Sequence, residues 1–460
     1  MMPTHFLRYV GEPRSEDDGY AAALNDANLT TLDPWSTSDE NIEAHFVLGG
    51  RRSTVELSPM ARDVFDLGAI VYIADEIVPR ATADDRWTRV FAFTVPVADM
   101  ARWESASSKL VSCLSFLSGD TYALTWMERP PNVPGGPAHR TKLGGNYDAV
   151  CLFSGGVDSL LGTNMLLSEN KRVLLIGHYA DGVTSSAQRD LFAFIEKKYP
   201  GRAALLQVNV ARSLKRNHRF ELPKKAEITH RARSFLFLTA GVAAAMATGT
   251  TRLYIPENGL IAVNAPLGRS RQGTLSTRTA HPRYIELFND VLSALGIDVR
   301  VQNPFSYQSK TDMVQSVTEA DLREALIRSV SCAHAGNLRW EGDSTITHCG
   351  YCVPCLYRRA AFLLAGIEED GYLYDVFKDL RKMSDDTARD FRLLVRFALS
   401  IASAKEVEVM AALLRHGAFS AGPTGDEYTR RAQMLRRWAA SFIELARQRA
   451  TTPTRKIVGL

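Results

Sequence analysis

Apolar and polar positions follow two alternating rhythms along the middle of this chain. Residues 149–153, Ala-Val-Cys-Leu-Phe, are continuously apolar, as a strand buried on both faces should be. A helix is expected over about 160–168, then a strand over 173–176 and a helix over 186–198. The alternation continues with a strand over 204–208, a helix over 232–247, a strand over 252–255, a helix over 283–295 and a strand over 299–301. Repeated β-α units of this length predict an α/β fold built on a doubly wound parallel sheet. In such sheets ligands bind beyond the carboxyl ends of the strands.

The flanks read differently. Residues 69–74 and 89–95 are strand-like, and 101–117 has the apolar spacing of a helix, which predicts a small N-terminal α+β domain over 1–129. Its Asp17, Asp18, Asp39 and Glu40 read as solvated loop charges. Pro130, Pro131, Pro134, Gly135, Gly136 and Pro137 then crowd together, so a linker is expected over 130–146. The central domain is expected over 147–369 and a helical C-terminal region over 370–460. In that last region Phe391, Leu394, Val395 and Ala398 recur at helical spacing, as do Met434, Leu435, Trp438 and Phe442; Gly417 and Gly422-Pro423 separate the helices. Arg430, Arg431, Arg436 and Arg437 lie near Asp426 and Glu427 and read as a solvated helix face, with docking onto a partner as the sharper alternative.

Composition narrows the function class. A hydrophobic fraction of 45% and a charged fraction of 23% are those of an ordinary globular protein. A net charge of +4 argues against a nucleic-acid partner. Residues 1–7 lack a leader pattern, and the longest apolar stretch, 235–247, is too short for a bilayer. A cytoplasmic protein with no membrane role is therefore expected.

The strongest chemical signal is Ser154-Gly155-Gly156-Val157-Asp158-Ser159, between an expected strand and an expected helix. The glycines allow a tight turn that exposes backbone N–H groups. With the helix N-terminus and the Ser154 and Ser159 hydroxyls these make a cradle for phosphate. Asp158 would repel phosphate by itself; it fits if it helps hold a magnesium ion or orients the loop. The Gly-Lys-Ser/Thr of a Walker loop is missing. Lys310 and the cations Arg231 and Arg233 are candidate clamps for developing charge.

Cysteine gives the second signal. Of six cysteines, Cys332, Cys349, Cys352 and Cys355 fall in one short segment. Two overlapping C-x-x-C steps and one separate thiolate suit a tetrahedral ion, and four sulfurs leave no open position. A structural zinc is expected, with an iron–sulfur cluster as the alternative. His334 and His348 are nearby substitutes. Cys113 and Cys151 sit in apolar runs and read as inert core thiols.

The glycine loop resembles that of the PP-loop ATP pyrophosphatases, whose fold is of the adenine nucleotide alpha hydrolase type. Loop and cysteine cluster together look like the 7-cyano-7-deazaguanine synthase (QueC) family. The likeness extends to Leu356-Tyr357-Arg358 after the last cysteine, to Arg231-Ala232-Arg233-Ser234, and to Lys310-Thr311-Asp312. It covers about 147–365. The family's substrate segment is not present as such; Pro256-Glu257-Asn258-Gly259-Leu260 stands there, and the gap between Cys332 and Cys349 is longer. The added flanks resemble QueC-like proteins of bacterial anti-phage operons, most of all the QatC type. The resemblance implies an ATP-dependent, carboxylate-activating enzyme using ATP, Mg2+ and Zn2+. It adenylates a deazaguanine-type small-molecule carboxylate and passes it to a nitrogen nucleophile, releasing AMP and pyrophosphate. The nucleophile is ammonia or an amine on a partner protein. It further implies that Ser154, Gly155, Gly156, Val157, Asp158 and Ser159 bind nucleotide, that Asp158, Ser159, Lys310 and Arg233 act in catalysis, and that Cys332, Cys349, Cys352 and Cys355 hold the metal. Two alternatives stay open: a tRNA-modifying or sulfur-transferring PP-loop enzyme, and an ATP-sensing scaffold without turnover.

Overall fold

Continuous apolar blocks become strands buried on both faces, and everything else arranges itself around them. The computed structural model of the protein describes residues 4–9, 29–32, 42–129, 140–179, 182–213, 222, 227, 229, 231–264, 278–338, 347–369, 371–378, 380–414, 419 and 425–460. Its strands are β1 (Thr4–Tyr9), β2 (Leu29–Leu32), β3 (Ile42–Leu48), β4 (Arg51–Val55), β5 (Val90–Val97), β6 (Thr121–Glu128), β7 (Arg140–Thr141), β8 (Ala149–Leu152), β9 (Val173–His178), β10 (Ala203–Arg212), β11 (Arg252–Tyr254) and β12 (Arg300–Gln302). Every residue of β8 and β9 is buried, as their apolar runs require, with the buried His178 closing β9.

The strands form two sheets. One has four strands in the order β2-β1-β5-β6, all parallel. The other has eight, in the order β12-β11-β8-β9-β10-β3-β4-β7. Its run from β12 to β10 is parallel, and β3 and β4 join it antiparallel. The chain moves from β8 outward to β9 and β10, then returns to place β11 on the other side of β8. That reversal is the switch point at which such sheets open a crevice. The expected central strands and helices are all present, displaced by only a few residues at their ends.

The helices are α1 (Pro59–Ile77), α2 (Met100–Ser118), α3 (Val157–Ser168), α4 (Gly182–Lys198), α5 (Arg233–Thr248), α6 (Gly259–Ala262), α7 (Pro282–Ala294), α8 (Lys310–Gln315), α9 (Ala320–Arg328), α10 (Ala335–Leu338), α11 (Val353–Leu364), α12 (Asp385–Ser403), α13 (Glu406–Leu414), α14 (Gly425–Arg449) and α15 (Thr452–Val458). Helix α5 packs on one face of the large sheet, in a core that includes Val150, Leu152, Leu174 and Ile176. Helix α3 packs on the other, in a core that includes Ala149, Cys151 and Phe153.

One expectation is corrected. Residues 69–74, read as a strand, lie inside α1. That helix is buried almost all round, because it is wedged between α5, β5 and the β3–β10 pair. A helix without a polar face carries no readable period over six residues. Ser58 caps its start by accepting a hydrogen bond from the Ala61 N–H.

The N-terminal region shares its structure with the centre. The β3–β4 hairpin extends the central sheet, and a single core cluster holds residues of α1, α2, α5 and α7. Of the interval expected as a linker, 130–139 lie outside the described residues, while β7 pairs with β4. Asp17, Asp18, Asp39 and Glu40 also lie outside them, as do Gly417, Gly422 and Pro423. Helices α12, α13, α14 and α15 form a core of their own, which also takes in Leu260 and Val263 from beside α6. Among the described residues no helix is long and apolar enough to cross a membrane.

Candidate active site and metal centre

The glycine turn begins where β8 ends, at the switch point of the sheet. Gly155 has φ +81°, a left-handed conformation that favours glycine. A methyl group there would also lie 3.1 Å from the Gln188 peptide nitrogen. Gly156 is the N-cap of α3, so the first N–H groups of that helix face the turn without partners within the helix. Ser159 Oγ donates to the Gly156 carbonyl at 3.0 Å, and Ser154 Oγ lies 3.3 Å from Ser159 Oγ. Val157, the first helical residue, is buried and anchors the turn to the core behind it. The Gly156 N–H donates to Ser154 Oγ at 3.4 Å, which holds the turn in this shape.

Asp158 points into a buried polar cluster. Its Oδ1 lies 2.6 Å from Lys310 Nζ, and both side chains are at most 8% exposed. Its Oδ2 accepts from the Asn258 backbone N–H at 3.0 Å and from Asn258 Nδ2 at 2.7 Å. Burial opposes ionisation of Asp158, but the Lys310 ammonium, with Glu257 and Asn258 beside it, holds the carboxyl below its ordinary range. Glu257 behaves oppositely: burial, then the charge of Asp158, pushes its carboxyl well above the usual range. Its side chain hydrogen-bonds to that of Asp158. Asn303 fixes this turn, accepting from the Glu257 N–H at 3.2 Å and donating to the Glu257 carbonyl at 2.7 Å. Lys310 opens α8, where Ser309 and Asp312 form a reciprocal capping box.

Of the two readings of Asp158, the loop-orienting one matches this geometry: both carboxylate oxygens are engaged by the protein. Lys310, expected as a clamp for developing charge, is placed in an ion pair with Asp158 of the loop. Arg233 is placed elsewhere. It opens α5 on the opposite face of the sheet, its guanidinium carbon 5.4 Å from the Phe237 ring centre. Arg231 is buried against Trp87 of the N-terminal region, with Nη1 3.5 Å from the Ser118 carbonyl oxygen. Glu257, Asn258 and Asn303 were not singled out from the sequence. Asn258 offers one faint signal: it caps α6 directly after β11, where a strand delivers residues to the carboxyl edge.

The four cysteines converge. The Sγ atoms of Cys332, Cys349, Cys352 and Cys355 all lie within 4.8 Å of one another, with Cys349 and Cys355 3.9 Å apart. Tetrahedral zinc with Zn–S bonds of about 2.3 Å needs S···S separations of about 3.8 Å, so the donor set could hold zinc. Backbone N–H groups donate to these sulfurs: Cys349 N to Cys332 at 3.4 Å, Cys352 N to Cys349 at 3.3 Å and His334 N to Cys332 at 3.3 Å. Such donors suit thiolates. Gly350 bends the knuckle at φ +80°, and a methyl group there would collide with the Tyr374 carbonyl. The histidines stand outside the tetrahedron. His348 accepts from the Ser331 N–H through Nε2 at 3.3 Å, and His334 rests against the Tyr351 ring. Cys113 and Cys151 are fully buried, and burial raises both thiols, Cys151 to about 12.

A short connection ties the two centres together. The Val330 N–H donates to the Gly155 carbonyl at 2.9 Å, two residues before Cys332. Arg358, one turn after Cys355 in the same helix α11, is fully buried. It donates to Ser329 Oγ at 2.6 Å and to the Leu326 carbonyl at 2.9 Å, and pairs with Glu369 at 2.5 Å. The cysteine segment therefore buttresses the glycine turn from behind.

Comparison with known proteins agrees with part of this layout. A family described as "Queuosine biosynthesis protein QueC" matches residues 279–366, which include Lys310 and all four cysteines but not the glycine turn. A 7-cyano-7-deazaguanine synthase from Methanocaldococcus jannaschii is 31% identical over 90 residues. That match covers 19% of this chain and 36% of the archaeal enzyme, so the chain spans about a third of that relative's length. Residues 279–366 are thus a QueC-like segment set within a longer chain.

Proposed function

We propose that this protein is an ATP-dependent enzyme that adenylates a deazaguanine-type carboxylate and transfers it to a nitrogen nucleophile. The observation that carries the reading is the left-handed glycine turn at the N-terminus of α3, with the Asp158–Lys310 pair beside it and the cysteine segment bonded to it. The substrate class follows the name of the archaeal relative and the QueC-like segment.

In the proposed reaction a carboxylate oxygen attacks the α-phosphorus of ATP and pyrophosphate leaves. The nitrogen then attacks the acyl carbon, AMP leaves, and the nitrogen loses its proton to solvent or a nearby base. The turn and the α3 N-terminus hold the phosphates through backbone N–H groups. Ser154 and Ser159, whose hydroxyls bond to each other and to the Gly156 carbonyl, hold the turn in shape and turn toward phosphate only by giving up those bonds. Asp158 fixes Lys310, so that a positive charge is held close to the turn without reorganisation. Magnesium bound to the nucleotide supplies further neutralisation of phosphate charge. Zinc at Cys332, Cys349, Cys352 and Cys355 has no open position, and its contribution is structural. Arg233 enters the proposal only as a cation on the α5 side of the sheet. Sulfur transfer is disfavoured by the cysteines themselves: four belong to the cluster and two are sealed in cores. A role in anti-phage defence is the biological reading that the added flanks support.

Purified protein with ATP, magnesium and 7-carboxy-7-deazaguanine, plus ammonia or a candidate partner protein, is expected to release pyrophosphate and AMP and to give a new amide mass. Asp158→Ala should fold and lose that release by about a hundredfold or more. Absence of AMP with every acceptor would leave the scaffold reading in its place.

A further inference from the structure

Beyond the proposed chemistry, we propose that the C-terminal helix α14 belongs to the site, with Arg431 acting as a positioning residue for Asn258 and Lys310. The four arginines of this helix were expected on a solvated face, but Arg431 is only 2% exposed. Its guanidinium lies between the rings of Tyr307 and Phe419, at 4.7 and 4.8 Å from their centres. Nη1 donates to the Ser306 carbonyl at 3.0 Å, while Nη2 donates to Glu427 Oε1 at 2.9 Å. The glutamate neutralises the cation, and the remaining fork grips the backbone ahead of Lys310.

A second contact acts on the Asn258 side. A methyl group at Gly259 would collide with Met434 Sδ, one helical turn from Arg431, so α14 presses directly on the turn after Asn258. The Gly259 N–H donates to the Gln308 carbonyl at 2.7 Å, clipping the two segments together. Leu260 and Val263 belong to the core of the C-terminal helices, not to either core flanking the large sheet. The two groups that hold Asp158, Asn258 and Lys310, thus sit one and four residues along the chain from contacts made by α14. This helix lies outside the QueC-like segment. Small displacements there reach the reacting groups, because geometry errors of about 1 Å can cost a hundredfold in rate.

The kinetic readout rests on the proposed adenylation; exchange protection does not. The test compares Arg431→Met and Arg431→Lys with Arg436→Gln, whose wild-type guanidinium donates to the Ala404 carbonyl at 2.8 Å and, among the described residues, makes no hydrogen bond or ion pair with 256–264 or 303–315. In Arg431→Met, amide hydrogen exchange in 256–264 and 303–315 should accelerate, and kcat for pyrophosphate release should fall about tenfold or more with KM for ATP changed less than about threefold. Arg431→Lys should recover part of both effects. Arg436→Gln should leave both at wild-type values. Wild-type exchange and kcat in a folded Arg431→Met, or equal losses in Arg436→Gln, would overturn the proposal. If Arg431→Met does not fold, Met434→Ala, which buries no unpaired charge, takes its place with the same expected direction, and unchanged exchange in it would overturn the proposal equally. If wild-type protein releases no pyrophosphate with any acceptor, the adenylation reading fails while the exchange comparison still decides the role of α14.

Discussion

Asp158 and Glu257 are two carboxyls in one buried cluster, and their surroundings drive them apart. Burial raises both, but Lys310 brings the Asp158 carboxyl below its ordinary range, while burial, and then Asp158 itself, lifts that of Glu257 well above it. The signs differ for stability. The Asp158 contribution is present above its unfolded value of about 3.9 and is lost as pH falls through its lower folded value. Glu257 has an unfolded value of about 4.3 and a raised folded value, so between the two the folded protein binds more protons and this group subtracts stability as pH rises. Glu257→Gln should therefore gain on wild type between about pH 5 and about pH 8 in urea unfolding midpoints. An equal difference at both pH values would mean that Glu257 ionises as an ordinary carboxyl. At this scale the sequence showed Asp158, Lys310 and the cysteines, because motifs of fixed spacing are local. It gave no role to Glu257, Asn258 or Asn303: the first two matter because they lie beside Asp158, about a hundred positions away, and Asn303 because it bonds to Glu257, 46 positions away.

Among the elements, the knuckle at 349–355 is the one whose sequence and structure agree most closely. Cys-Gly-x-Cys spacing brings successive sulfurs together only if the residue after the first cysteine is left-handed, and Gly350 is. Gly350→Ala meets both a strained backbone and the Tyr374 carbonyl. The variant should lose stoichiometric zinc under reducing conditions, measured by elemental analysis, and its melting temperature should fall. Removal of zinc from wild type by a chelator should mimic it, and pyrophosphate release should drop in both because Val330 no longer braces Gly155. Full zinc content in Gly350→Ala would show that the knuckle tolerates the change. Helix α1 teaches the opposite lesson. Its residues 69–74 look like a strand, because β-branched and aromatic residues dominate a stretch that is apolar on every side. Amphipathic helices such as α12, with Phe391, Leu394, Val395 and Ala398 buried, announce themselves through their solvated face. Helix α14 showed its apolar stripe but hid the burial of Arg431, since an arginine reads as exposed until a partner appears.

On the scale of the whole molecule, the flanks are joined to the centre rather than appended to it. Gly68 of α1 and Thr239 of α5 meet so closely that a side chain at Gly68 would collide with the threonine, and β3 pairs with β10 along seven residues. A fragment of residues 147–369 should therefore lack cooperative unfolding and expose apolar surface, seen as dye binding and loss of near-ultraviolet dichroism. A fragment that unfolds cooperatively would show that the central strands need neither flank. The sequence by itself determined the order of strands and helices in the centre, the glycine turn and which four cysteines cluster. Period, turn chemistry and ligand spacing act between neighbours, and neighbours are what a sequence records. Only the tertiary structure decided that a hairpin from the first region extends the central sheet, that Asn258 and Glu257 join Asp158, and that a C-terminal arginine grips the approach to Lys310. Those contacts link residues from roughly a hundred to more than a hundred and fifty positions apart. They arise from which apolar faces pack together, and no repeating pattern along the chain encodes that choice.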